Sequence, residues 1–137
     1  MIEAVYDTNI LVSSFIGKGP PHKVFNAVLK GKVKLISSPD IIEEFNNVIP
    51  RKKFKFTEEQ IKQAKSIVLR ISNIIEPKEK VNVIEEDPDD NKILECAKAG
   101  KVKYIVSGNI HLLKLKKWLN IKIVTPNEFL QILKKEK

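Results

Sequence analysis

Residues 1–9, Met-Ile-Glu-Ala-Val-Tyr-Asp-Thr-Asn, carry the signal around which the remaining residues can be arranged. Ile2 to Tyr6 is a short, apolar, β-prone run of the length of a buried parallel strand. It stops at Asp7-Thr8-Asn9, and apolar residues then resume at Ile10, Leu11 and Phe15 with helical spacing. A carboxylate at the carboxyl end of a first strand, where a helix begins, lies where open α/β sheets bind their ligands. Asp7 or Thr8 equally serves as the cap of that helix, satisfying its free N–H groups. The tripeptide leaves both roles open, and the other acids bear on the choice.

Moving outward, strand and helix signals alternate. Gly17-Lys18-Gly19-Pro20-Pro21 reads as a loop, with Pro21 opening a helix through Val24, Phe25, Val28 and Leu29 that stops at Gly31. His22 is expected to be exposed at its solvent end. Val33 to Ile36 is a second strand, and Ser38-Pro39 caps a third helix, Asp40 to Ile49. At 3.6 residues per turn Ile41, Phe45, Val48 and Ile49 share one face, and Glu44 falls at its margin, within reach of a cleft at the sheet edge.

Arg51-Lys52-Lys53-Phe54-Lys55-Phe56 alternates cations with aromatics, a pattern suited to single-stranded nucleic acid. The two Phe residues also fit a helix-to-helix turn anchored to the core. Thr57-Glu58-Glu59-Gln60 is a capping box opening the longest helix, about Glu58 to Ser72, and Ile74-Ile75 is a short strand closed by Pro77.

Glu85-Glu86-Asp87-Pro88-Asp89-Asp90-Asn91 concentrates five carboxylates just before a helix, Asp90 to Ala99. Asp90 lies three, four and seven residues before Ile93, Leu94 and Ala97, which points it toward the sheet and calls for a partner such as a metal ion. Asp87 and Asp89 also fit as first-turn acids favoured by the helix dipole. Lys103 to Val106 is the next strand, followed by the loop Ser107-Gly108-Asn109-Ile110-His111 and a short helical segment. Ile121 to Val124 is the last strand. Thr125-Pro126-Asn127-Glu128 opens a C-terminal helix whose final five residues are expected to fray.

This alternation predicts a parallel sheet covered on both faces in a single domain, residues 1–137. No apolar run approaches a membrane span, which reads as a cytoplasmic chain, and the single Cys96 excludes an intrachain disulfide. The net charge of +8 favours polyanionic partners, although a Lys-rich composition produces the same surplus without a binding face. Right-handed crossovers bring distant strand ends together, so that Asp7, Glu44, Asp90 and Asn109 share one edge. Carboxylates without Cys form a hard oxygen site of the kind that holds Mg²⁺ or Mn²⁺. None of the five glycines forms a phosphate-binding loop, which argues against a nucleotide-binding domain.

In order and spacing, Asp7-Thr8-Asn9, Ser38-Pro39 leading to Glu44, the basic 51–56 stretch, Asp87-Pro88-Asp89-Asp90-Asn91-Lys92 and Tyr104-Ile105-Val106-Ser107-Gly108 resemble the PIN-domain family, in particular the VapC-like toxins of toxin–antitoxin pairs. The resemblance implies a three-layer α/β/α fold and a metal-dependent ribonuclease acting on RNA in the cytoplasm. By the same resemblance Asp7, Glu44 and Asp90 are metal ligands and catalytic residues, and Thr8, Asn9 and Ser107 support them by hydrogen bonds. Arg51, Lys52, Lys53 and Lys55 are the RNA-binding cations on this reading. Partners implied are an antitoxin and a second copy of the chain, although no dimer face is readable. The family carries an acid after Ser107-Gly108 and often another two residues on, where this sequence has Asn109 and His111. Asn109 can ligate through its carbonyl without adding charge. His111, like Asp87, is either a further ligand or a loop residue near the cleft, and ligation through imidazole would bias the site toward Mn²⁺ or Zn²⁺. The alternative to an enzyme is a catalytically weakened module that binds RNA or a protein through its basic surface.

Overall fold

Ala4, Val5 and Tyr6 are at most 1% exposed, as expected of a central parallel strand covered on both faces. In the computed structural model, which describes residues 1–136, they belong to strand β1 (Ile2–Tyr6). The chain continues through α1 (Thr8–Ser13), α2 (Pro20–Leu29), β2 (Val33–Ser37), α3 (Pro39–Val48), α4 (Glu58–Ile71) and β3 (Ser72–Ile74). After a long connection come α5 (Asn91–Gly100), β4 (Tyr104–Val106), α6 (Ile110–Leu113), β5 (Lys117–Trp118), β6 (Ile121–Val124) and α7 (Pro126–Lys135). The six strands lie in the order β3-β2-β1-β4-β6-β5. All neighbours are parallel except β5 against β6.

That order has one reversal. From β1 the chain winds outward to β2 and β3, then returns to lay β4 on the other side of β1, with Tyr6 opposite Val106. The carboxyl ends of β1 and β4 therefore open side by side, the position at which such sheets leave a crevice. Helices flank the sheet. Tyr6 reaches α2 and α7, its hydroxyl donating to the Val24 carbonyl at 2.8 Å and its ring meeting Phe129 edge-on at 6.0 Å. α5 packs on β1 and β2, and Gly100 permits the approach, since a Cβ there would stand 2.8 Å from Ile36 Cγ2.

Local signals explain the helix boundaries. Both predicted capping boxes form: Thr57 with Gln60 at 3.1 and 2.9 Å, and Thr125 with Glu128 at 3.1 and 2.8 Å. Ser38 caps α3 ahead of Pro39, and Gly31, at φ 78°, takes the left-handed conformation after α2.

Three expectations change. β5 was not foreseen; Trp118 opposes Ile121 across a two-residue turn in which Leu119 sits at φ 56°, where turn chemistry favours Gly or Asn. The C-terminal helix persists to Lys135 instead of fraying over the last five residues, with Leu133 packed against the core; Lys137 lies outside the described residues. His22 is half-buried, one ring nitrogen 3.0 Å from the Ser14 carbonyl and the other 3.2 Å from the Asn26 amide. Among the described residues no helix is long and apolar enough to cross a membrane.

Candidate metal centre

The site begins where β1 and β4 end. The Asp7 N–H donates to the Val106 carbonyl at 3.1 Å, which continues the sheet ladder one residue past the strand. One Asp7 carboxylate oxygen, Oδ1, accepts from the Ile10 N–H at 2.9 Å, and the other accepts from the Ser107 hydroxyl. Asp7 thus caps α1, one of the two roles its sequence context left open.

Neutral donors extend this contact in both directions. Thr8 Oγ1 donates to Glu44 Oε1, tying α3 to the start of α1. The Asn109 N–H donates to Ser107 Oγ at 2.9 Å, and Asn109 Nδ2 donates to Asp90 Oδ2 at 2.8 Å. Asp7 and Asp90 are therefore joined through Ser107 and Asn109 into one hydrogen-bonded group, and Thr8, next to Asp7 in the chain, holds Glu44 as a separate pair. Asn9 is exposed and lines, with Gly108 and Asn109, a neighbouring cavity of about 420 Å³.

Asp7 feels the charges of the other two acids. Burial lifts the Asp7 pKa to about 6; the hydrogen bonds from Ser107 and Ile10 hold it down, and the charges of Asp90 and Glu44 push it up. Asp90 is also raised, first by burial and then by the charge of Asp87, against the opposing pull of Asn109 and His111. Its position departs from the regular helix expected there. Asp90 closes a 3-10 turn, Pro88–Asp90, and stands at the cap of α5 with its side chain 18% exposed. Its charge finds the Asn109 amide rather than apolar surroundings.

Asn109 spends both polar ends on protein. Its Oδ1 accepts from the His111 N–H at 2.8 Å as the cap of α6, and its amide nitrogen faces Asp90. The reversed amide would set donor against donor at His111, so this orientation is the consistent one.

Two residues given no role by the sequence reading hold the acidic segment in place. Buried Asn91 accepts from the Val83 and Ile84 N–H groups at 3.1 and 2.9 Å and donates to the carbonyls of Ile84 and Pro88, both at 3.0 Å. Lys92, its side chain 13% exposed, places Nζ 2.9 Å from Glu44 Oε2 and 2.9 Å from Asp89 Oδ2. Burial disfavours its charge, but the two carboxylates more than offset that and its pKa rises. The one sequence signal was its i+3 spacing from Asp89.

A divalent cation fits the donor set. Oxygen atoms of Asp87 and Asp90 and a ring nitrogen of His111 all lie within 4.8 Å of one another. His111 Nδ1 is sealed from solvent and has no hydrogen-bond partner. Asp7 and Glu44 stand outside that closest group.

The basic stretch runs over a 3-10 turn, Lys52–Phe54, with Arg51, Lys52, Lys53 and Lys55 exposed. Phe54 and Phe56 are half-buried, stacked at 6.2 Å and packed against the core, as an anchored turn requires. Lys53 Nζ lies 5.1 Å from the Phe54 ring centroid, and Arg51 lines with Glu44 and Lys92 a cavity of about 550 Å³.

The PIN-domain family model matches residues 3–111. Among solved structures, a chain in the crystal structure of VapBC2 from Rickettsia felis bound to a DNA fragment from their promoter is similar at a TM-score of 0.60. The match covers 89% of this chain and 97% of that one at 17% identity, a likeness of fold. Comparison with curated proteins yields no match.

Proposed function

The chain belongs to the PIN-domain family, and on that premise we propose that it is a metal-dependent endoribonuclease, the toxin of a toxin–antitoxin pair, hydrolysing RNA phosphodiester bonds where Asp7, Glu44 and Asp90 converge. The observation that carries this reading is the hydrogen-bonded group joining Asp7 to Asp90 through Ser107 and Asn109 across the reversal of the sheet, with Glu44 bound to Thr8 beside it. Three acids with no cation among them except Lys92 form a pocket suited to Mg²⁺ or Mn²⁺. The chemistry such an ion supplies when bound is a more acidic water and neutralisation of charge on the scissile phosphate.

The remaining work falls to the chain itself. Ser107 and the Ile10 N–H fix the Asp7 carboxylate, Thr8 fixes Glu44, and Asn109 fixes Asp90. Each donor is neutral, so the carboxylates are positioned without loss of their charge. Exposed Arg51, Lys52, Lys53 and Lys55 would hold RNA phosphates, and Arg51 shares a cavity with Glu44 and Lys92. The resemblance in fold to a chain of VapBC2 supports an antitoxin as protein partner and soluble, cytoplasmic action; a homodimer is compatible with the same kinship.

The test is cleavage of structured and unstructured RNA with added Mg²⁺ or Mn²⁺, beside Asp7→Asn. The expected result is metal-dependent cleavage that falls at least about 100-fold in the variant, on the scale of losing a positioned group at a reacting centre. Equal behaviour of the two proteins would favour the second reading, a weakened module that binds RNA or protein. That reading draws on one observation: Asn109, where the family resemblance implies an acid, contributes no charge and has both polar ends engaged.

A further inference from the structure

His111 holds the least explained atom near the acids. Its Nδ1 is shut off from solvent, makes no hydrogen bond, and lies 3.7 Å from Asp90 Oδ2. That separation is too long for a hydrogen bond. It is close to the spacing of two atoms bound to one ion, since bonds of about 2.1 Å place tetrahedral ligands about 3.4 Å apart. An oxygen of Asp87 completes a set whose members all lie within 4.8 Å. Glu44, by contrast, already has its charge met: one oxygen accepts from Thr8 and the other is 2.9 Å from the Lys92 ammonium.

We propose that the cation seat proper is formed by Asp87, Asp90 and His111, with Lys92 filling the place of a second cation beside Glu44, so that this chain takes one ion of the Mn²⁺ or Zn²⁺ type in preference to Mg²⁺. The inference rests on the reading of this pocket as a metal centre and specifies which atoms hold the ion. An imidazole donor suits transition ions such as Co²⁺ and Zn²⁺ and disfavours Mg²⁺, which demands oxygen. Lys92 is held by Asp89 and Glu44, whereas Asp87 and Asp90 group with His111.

The full chain is titrated with Co²⁺, Mn²⁺ and Mg²⁺ by calorimetry, and Co²⁺ binding is followed by its visible absorption. The seat predicts one ion per chain and binding of Co²⁺ and Mn²⁺ at least about tenfold tighter than Mg²⁺. His111→Asn should weaken Co²⁺ and Mn²⁺ about 10–100-fold while moving Mg²⁺ by less than about threefold, and Asp87→Asn should cost more affinity than Glu44→Gln. Imidazole ¹⁵N spectra of the unmutated protein with Zn²⁺ supply a readout independent of any variant's folding. The His111 resonances should move, and those of His22, whose ring nitrogens both have protein partners, should not. Two ions per chain, or ion binding with His111 resonances unmoved, overturns the seat and leaves the metal centre standing. Absence of any divalent ion binding overturns both.

Discussion

Asp7 and Glu44, at the end of β1 and on α3 (the inner pair), and Asp87 and Asp90, on the segment leading into α5 (the outer pair), are secured by different means. The inner pair hangs from strand ends and helix starts: Asp7 is 5% exposed, fastened by the Ile10 N–H and the Ser107 hydroxyl, and Glu44 is fastened by Thr8 and Lys92. The outer pair sits on an irregular segment and a 3-10 turn, pinned from behind by Asn91 and in front by the Asn109 amide. Asp7 is thus held by the backbone as well as by a side chain, at a cost in desolvation, and Glu44 by side chains from two other helices. The outer ones are held by the side chains of Asn91 and Asn109, on an irregular segment.

The largest expected effect comes from removing the desolvated inner charge. Because Asp7 titrates near 6 when folded against 3.8 in the reference state, the folded chain keeps its proton longer. Stability then falls as pH rises from about 4 to about 6, and the whole cost is present above that range. Asp7→Asn should consequently unfold later than the parent protein at pH 7, by up to about 3 kcal/mol, with the difference vanishing near pH 3.5. Denaturant unfolding at several pH values checks this, and a variant less stable at pH 7 would erase the distinction between inner and outer acids.

Next in size is the Lys92 pair. Lys92→Met leaves Glu44 beside Thr8 without its counter-charge and should cost about 1–3 kcal/mol, less than a fully buried pair because Glu44 remains 30% exposed. Adding Glu44→Gln to it should recover part of that loss, an interaction that a double-mutant cycle reads directly. Additive losses would mean that the lysine packs without serving the carboxylate.

The smallest effect sharpens the outer side. Asn109→Asp replaces the donor on Asp90 with a second carboxylate, so the metal-free protein should lose about 1 kcal/mol. Divalent ion affinity, by calorimetry, should rise about tenfold as the added charge demands a cation. Unchanged affinity would put residue 109 beyond the reach of the ion.

Much of this architecture was legible along the chain. Capping boxes at Thr57 and Thr125, the Ser38-Pro39 start and the apolar run of β1 are contacts among near neighbours, so residue order alone implies them. The alternation of strands and helices, with right-handed crossovers, was enough to bring Asp7, Glu44, Asp90 and Asn109 to one edge. The turn at Leu119 was hidden because its left-handed backbone is imposed by the pairing of Trp118 with Ile121, against the preference of leucine. Tertiary packing alone decided that Lys92 turns to Glu44, that Asn109 gives its amide to Asp90 and its carbonyl to His111, and that His111 Nδ1 is left without a partner. The reason is physical: short-range hydrogen bonds and apolar periodicity are written in residue spacing, whereas the direction of a buried polar atom depends on which groups the completed fold has already satisfied.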